Sequence, residues 1–126
     1  MVKTKFLQLL VVTATVFSVN AAMAHGPKAA KFGGTVASAG DLGFELAAQG
    51  DTVTVYVDDH GTPLPTTGMS GKLTLLKGAE KSEAELVAAA PNKLEAKGLK
   101  LSAGTKAVAV VTLADKKVIT VRFKAN

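Results

Sequence analysis

The strongest constraint on this chain is an alternation of apolar and polar residues with a period of two. It is clearest from Asp51 to Asp58, where Val53, Val55 and Val57 share one face and Thr52, Thr54, Tyr56 and Asp58 take the other. A helix cannot use such a pattern, because its faces repeat every 3.6 residues; a half-buried strand requires it. The same alternation places Phe44 and Leu46 inward, and recurs in Lys72 to Leu75 and in Val118 to Lys124, where Ile119, Val121 and Phe123 face in. Ala107 to Leu113 is almost uninterruptedly apolar, the pattern of a central strand covered on both faces.

Turn-forming residues punctuate these runs at Gly33-Gly34, Gly40-Asp41, Gly50-Asp51, Lys77-Gly78, Pro91-Asn92, Gly104 and Asp115-Lys116. The segment Ala79 to Ala90 has high helix propensity. Read at period two it sends Ala84 and Leu86 inward and Glu83 and Glu85 outward, and the even strand spacing favours the strand over a single helix. The longest irregular stretch runs from Asp59 to Ser70, where Pro63 and Pro65 bar a central strand. About seven or eight short antiparallel strands make the chain all-β, an immunoglobulin-like sandwich or a small Greek-key barrel.

The first residues carry a different signal. Lys3 and Lys5 precede a mostly apolar run from Phe6 to Val19, and Ala22-Met23-Ala24 has the small-x-small form that signal peptidase accepts. The apolar run is shorter than the ~20 residues of a membrane-spanning helix. Residues 1–24 therefore read as a cleaved secretory signal, residues 25–32 as a flexible mature amino terminus, and residues 33–126 as one β domain. Export to a periplasm follows, with no membrane insertion after cleavage.

Composition then excludes most chemistry. The chain has no Cys, no Trp, two His and a single Tyr, which removes disulfides, thiol nucleophiles and thiolate metal sites. Its formal charge of +5 comes almost wholly from scattered Lys, without the clustered Arg and stacking aromatics of a nucleic-acid surface. Gly71-Lys72 lacks the other residues of a phosphate-binding loop, since Thr66 and Leu73 stand where Gly and Ser or Thr are required. Glu83 and Glu85 read as a solvated pair near Lys81, and no Gly-x-Ser-x-Gly accompanies His60. The chain reads as a non-enzyme.

One candidate site survives. Cleavage after Ala24 would make His25 the first residue, offering an α-amine with a reference pKa near 8 and a ring Nδ1 to one metal. Such a nitrogen pair suits Cu(II) best among the common divalent ions. Asp58 and His60 are two residues apart and would share a face if extended geometry persists, completing a near-square set of three nitrogens and one oxygen. Met69, the only Met beyond the signal, would add a soft thioether for Cu(I). Each residue also has a plainer reading: His60 as a solvated turn residue, Asp58 as a turn cap, Met69 as filler.

The segment from Phe44-Glu45-Leu46 through Tyr56-Val57-Asp58-Asp59-His60-Gly61-Thr62-Pro63 to Ser70-Gly71-Lys72 resembles small periplasmic domains associated with adaptors of copper and cobalt-zinc-cadmium efflux systems. That resemblance covers most of residues 32–78 and implies a metal-stress protein working with periplasmic components of an efflux system. A looser likeness links His25 and Asp58-Asp59-His60 to CopC-type copper-resistance carriers, although the Met-rich segment of that family is absent. The leading expectation is a periplasmic copper-binding or efflux accessory protein. The alternative is an immunoglobulin-like interaction module with no metal. Mass spectrometry of the secreted protein should find His25 at its amino terminus; cleavage at another bond would remove the chelate on which the copper reading depends.

Overall fold

The computed structural model describes residues 29–126; His25 and the expected signal, residues 1–24, lie outside them. The described chain is all-β, with strands β1 (Thr35–Ala39), β2 (Leu42–Gln49), β3 (Thr52–Asp59), β4 (Thr62–Pro63), β5 (Ser70–Lys77), β6 (Glu80–Ala89), β7 (Lys93–Lys97), β8 (Lys106–Thr112) and β9 (Val118–Lys124). All pairings are antiparallel. The sheet runs β1-β2-β3-β7-β6-β5-β8-β9, with β4 attached to β3 alone. Its first and last strands, β1 and β9, lie against each other. The result is a barrel-like sandwich made by rolling one continuous sheet almost shut.

The rolling follows from the alternation. Val53, Val55, Val57, Leu46, Leu73, Leu86, Leu94, Val111 and Val121 are fully buried on the inner face. A sheet with one such face removes it from water either against a second layer or by closing on itself. The expected inward residues Phe44, Ala84 and Phe123 are buried or half-buried, and Ala79 to Ala90 is a strand over most of its length, as its period-two reading requires. In β8 the expectation of two covered faces fails. Ala107, Ala109 and Val111 are buried, but Val110 on the outer face is 40% exposed. A nearly closed sheet covers only its inside, so an apolar run in a central strand need not have a second layer over it.

Two connections cross the ends. The end at which β3 finishes is termed the upper end. From there the Pro-containing segment 64–69 passes over β7 and β6 to reach β5. Its Thr66 hydroxyl, buried, donates to the Lys93 carbonyl at 2.9 Å, with the Ala89 carbonyl 3.3 Å away. Met69 follows, 8% exposed and part of the core. At the lower end, residues 98–105 cross from β7 to β8. The Gly98 and Leu99 amides donate to the Asp51 carbonyl at 2.8 and 3.1 Å, and Leu99 is buried.

The outer face of β5 and β6 carries paired charges. Glu83 lies between Lys72 and Lys81, which is 3.0 Å away. Hydrogen bonding to Lys72 and then Lys81 lowers the Glu83 pKa from its ordinary value of 4.5, and Glu83 in turn raises that of Lys72. A carboxylate with a lowered folded-state pKa stabilises the fold above its ordinary value and loses that effect as pH falls through the lower one. Glu83→Gln should therefore destabilise slightly at neutral pH and low salt, and have no effect in 1 M salt or below the folded-state pKa in urea titrations. Leu73→Ala, by contrast, should cost about 2–5 kcal/mol at any ionic strength, because it opens a cavity in the closed interior.

Candidate functional site

Before β1 the chain lies as a strap, residues 29–34, across the outer face of β2 and β3. The strap is held by one side chain. Glu45 alternates outward from the sheet, where sequence periodicity would put it in water, yet it is only 5% exposed. Its Oε1 accepts the Lys31 amide at 2.7 Å, and its Oε2 accepts the amides of Phe32 at 2.8 Å and Gly34 at 2.9 Å. Converging backbone N–H groups of this kind form an anion-binding concavity. Here the anion is the chain's own carboxylate. Hydrogen bonds to a charged group are worth about 1.5–3 kcal/mol each, so three of them offset much of the backbone entropy lost in ordering a short segment, about 1–2 kcal/mol per residue.

The two glycines of the strap have separate reasons. Gly33 adopts φ +73°, a left-handed conformation that costs glycine little. Gly34 passes so close to β2 that a Cβ would lie 2.1 Å from the Leu46 carbonyl oxygen. Phe32 stacks on Tyr56, their centroids 3.7 Å apart and their rings 7° from parallel. Thus Lys31 and Phe32, expected in a flexible terminus, are tied to the domain. Of the aromatic residues, Phe44 and Phe123 enter the core, while Phe32 remains 48% exposed.

The strap leads to the upper end of the barrel. Lys31 Nζ donates to the Gly61 carbonyl at 3.3 Å, in the turn between β3 and β4. Ala29, Lys31, Phe32, Tyr56, Asp58 and Pro63 line a cleft of about 410 Å³ between strap and sheet. The residue at which the described chain begins therefore shares a cleft with Asp58.

Asp58 and His60 do not share a face in the manner expected. β3 ends at Asp59, and His60 has φ +53°, so the extended geometry does not persist. Asp58 points to the outer face, where its buried Oδ1 lies over Gly43, opposite it on β2; a Cβ there would be only 2.0 Å away. His60 turns outward with its side chain 73% exposed, and its Nδ1 meets Asp59 Oδ1 at 2.6 Å. An imidazole that gives its Nδ1 proton to a carboxylate keeps Nε2 available as a ligand, a common arrangement around metals. Of the two carboxylates that precede His60 in sequence, Asp59 and not the expected ligand Asp58 is therefore the one that orients it. Met69 packs in the core rather than beside the exposed His60 ring.

Among the described residues no three His, Cys, Asp or Glu side chains converge as a group able to hold a metal ion. Asp58 and His60 adjoin on the same strand end, and a complete set there needs donors from elsewhere. Among the same residues no helix is long and apolar enough to cross a membrane.

Tyr56 is the single tyrosine of a chain without Trp, so intrinsic fluorescence reports directly on the strap. Gly34→Ala should displace the strap and unstack Phe32. The expected signs are a changed Tyr56 emission and loss of hydrogen-exchange protection at Lys31 and Phe32, with protection in β5 and β8 retained. Comparison with protein-family models, with curated proteins and with solved structures returns no match.

Proposed function

We propose that the chain is a non-catalytic, exported metal-binding protein of the periplasm, with copper as its ion, acting as an accessory to a metal efflux system. The observation that carries this reading is the delivery of the amino-terminal strap to the Asp58–His60 turn. His25 precedes Ala29 by four residues, and four residues span at most about 14 Å. In this reading the terminal amine and imidazole would reach the imidazole of His60, whose side chain is exposed and whose Nδ1 is held by Asp59. Amine, two imidazoles and a carboxylate would form the nitrogen-rich set that Cu(II) favours. His25 would supply two donors and His60 one; Asp58, whose Oδ1 is buried over Gly43, would have to turn toward His60 to act as the oxygen donor. Met69, packed in the core, makes only an optional ligand, and one that would have to leave its packing.

The resemblance of the Tyr56–Pro63 segment to efflux-associated periplasmic domains supports the same assignment, as does the signal-like sequence of residues 1–24. An interaction module without metal is favoured by a different observation, the outward-facing Val87 and Val118 on β6 and β9.

Cu(II) titration of the secreted protein separates the two. EPR should show a tetragonal nitrogen-rich signal, with Tyr56 emission quenched in parallel. An extra Gly before His25, or His60→Ala, should each weaken binding at least about tenfold, as loss of one arm of a linked pair does. Affinities unchanged by both alterations would sink the metal reading.

A further inference from the structure

We infer that the lower end of the outer face of β6, β5, β8 and β9 docks on an anionic phospholipid surface, through Lys81, Lys106, Arg122 and Lys124 set around the exposed Leu76. The inference is independent of the metal reading and uses no residue of it.

The lysines are scattered in the sequence, and the sheet gathers them. In the ladder Leu76 stands opposite Lys81 on one side and Lys106 on the other, and Lys106 stands opposite Lys124. One row of outward side chains therefore reads Lys81, Leu76, Lys106, Lys124 across four adjacent strands, a span of about 14 Å. Arg122 lies two residues along β9 from Lys124 and so on the same face. Leu76 is 38% exposed, and the four cations are exposed around it. At the upper end of the same strands the matching row is Val87, Ser70, Thr112 and Val118, which carries no charge.

The acids of this face do not cancel the lower row. Glu83 lies between Lys72 and Lys81, Glu85 stands opposite Lys72, and Glu80 stands opposite Lys77. Lys106, Arg122 and Lys124 form no ion pair among the described residues.

The fold does not ask for this arrangement. Like charges directly opposite each other on neighbouring strands destabilise a sheet, and Lys106 and Lys124 are such a pair. Lysines on an edge strand discourage pairing between molecules, which accounts for Lys124 on β9, the last strand of the sheet. It does not account for Lys106, because β8 has β5 and β9 on its two sides.

The chemistry selects the partner. An anionic bilayer offers phosphates spread over a plane, and its interface accepts an apolar side chain among them. Lysine stems lie along apolar surface while their ammonium heads stay in water, so Leu76 can meet the acyl boundary without loss of the phosphate contacts. A single-stranded nucleic acid would need aromatic rings on which to stack its bases. This face presents none, since Phe123, the one aromatic residue of these four strands, is buried on the inner side. Each cation brought to an anionic membrane raises affinity about fivefold, an effect that fades within a Debye length.

The test is co-sedimentation of the secreted protein with vesicles of phosphatidylcholine alone and of phosphatidylcholine mixed with phosphatidylglycerol. Binding should be confined to the mixed vesicles and should be lost in about 0.5 M salt. Lys106→Gln with Lys124→Gln should weaken it at least about tenfold, while urea unfolding stays unchanged or moves to higher urea as a like-charged pair is relieved. Arginine at both positions should preserve binding, and Leu76→Ser should weaken it at unchanged charge. Lys116→Gln with Lys117→Gln removes the same charge from the β8–β9 turn at the upper end, and should change affinity less than about twofold. Equal losses from the two double variants would reduce the effect to net charge and overturn the inference. So would equal binding to neutral vesicles, or binding of single-stranded DNA through Lys106 and Lys124 with none to vesicles. Should the lysine variant fold poorly, the unaltered protein still decides, because binding that persists in high salt overturns the inference as well.

Discussion

Everything in this molecule depends on one sheet having a single apolar face. The buried valines of β3, the leucines of β5, β6 and β7, and the small alanines of β8 form one continuous inner surface. No helix covers it among the described residues. Closure is the remaining way to remove it from water, and closure brings β1 to β9. A rolled sheet leaves two open ends, and the two long connections serve as lids for them. Thr66 and Met69 occupy the upper one, and Leu99 the lower.

The same closure explains why the outer surface is where function could develop. Inner positions are committed to packing, and an inner residue that changes size disturbs the whole barrel. Outer positions are mostly free. On β5 and β6 they carry solvated ion pairs that add little. On β2 and β3 they carry a second layer, the strap, seated on a buried carboxylate and a stacked aromatic pair. This local thickening creates the cleft beside Asp58.

The candidate site was partly readable from composition. With only two His in the chain, His60 was easy to single out, and the turn after β3 was marked by Asp59, Gly61 and Pro63. Its geometry was not readable. The left-handed backbone at His60 breaks the two-residue periodicity that would have set His60 beside Asp58, and Asp59 takes the imidazole instead. Met69 sits in a Pro-containing loop, where sequence left it either a thioether ligand or filler; that loop is a lid and its Met is drawn inside. Glu45 is the clearest omission. Alternation assigned it to water, and its partners lie 11 to 14 residues upstream in a segment without periodicity. Gly33-Gly34 next to an aromatic residue was the only local sign that the chain there must fold back.

Strand identity and the facing of side chains were determined by the sequence alone, because a period of two is a property of neighbouring residues. That reasoning extended even to Ala79–Ala90, where propensity pointed to a helix and alternation to a strand. Strand order, the one-sided covering of β8 and the burial of Glu45 were decided only in the tertiary structure. The first two depend on which edges meet when the sheet closes and the third on the strap that crosses its outer face, and hydrogen bonds between segments far apart in the chain leave no period to read. The alternation specified a barrel wall; the strap folded onto its outside determined which outward residue would be buried.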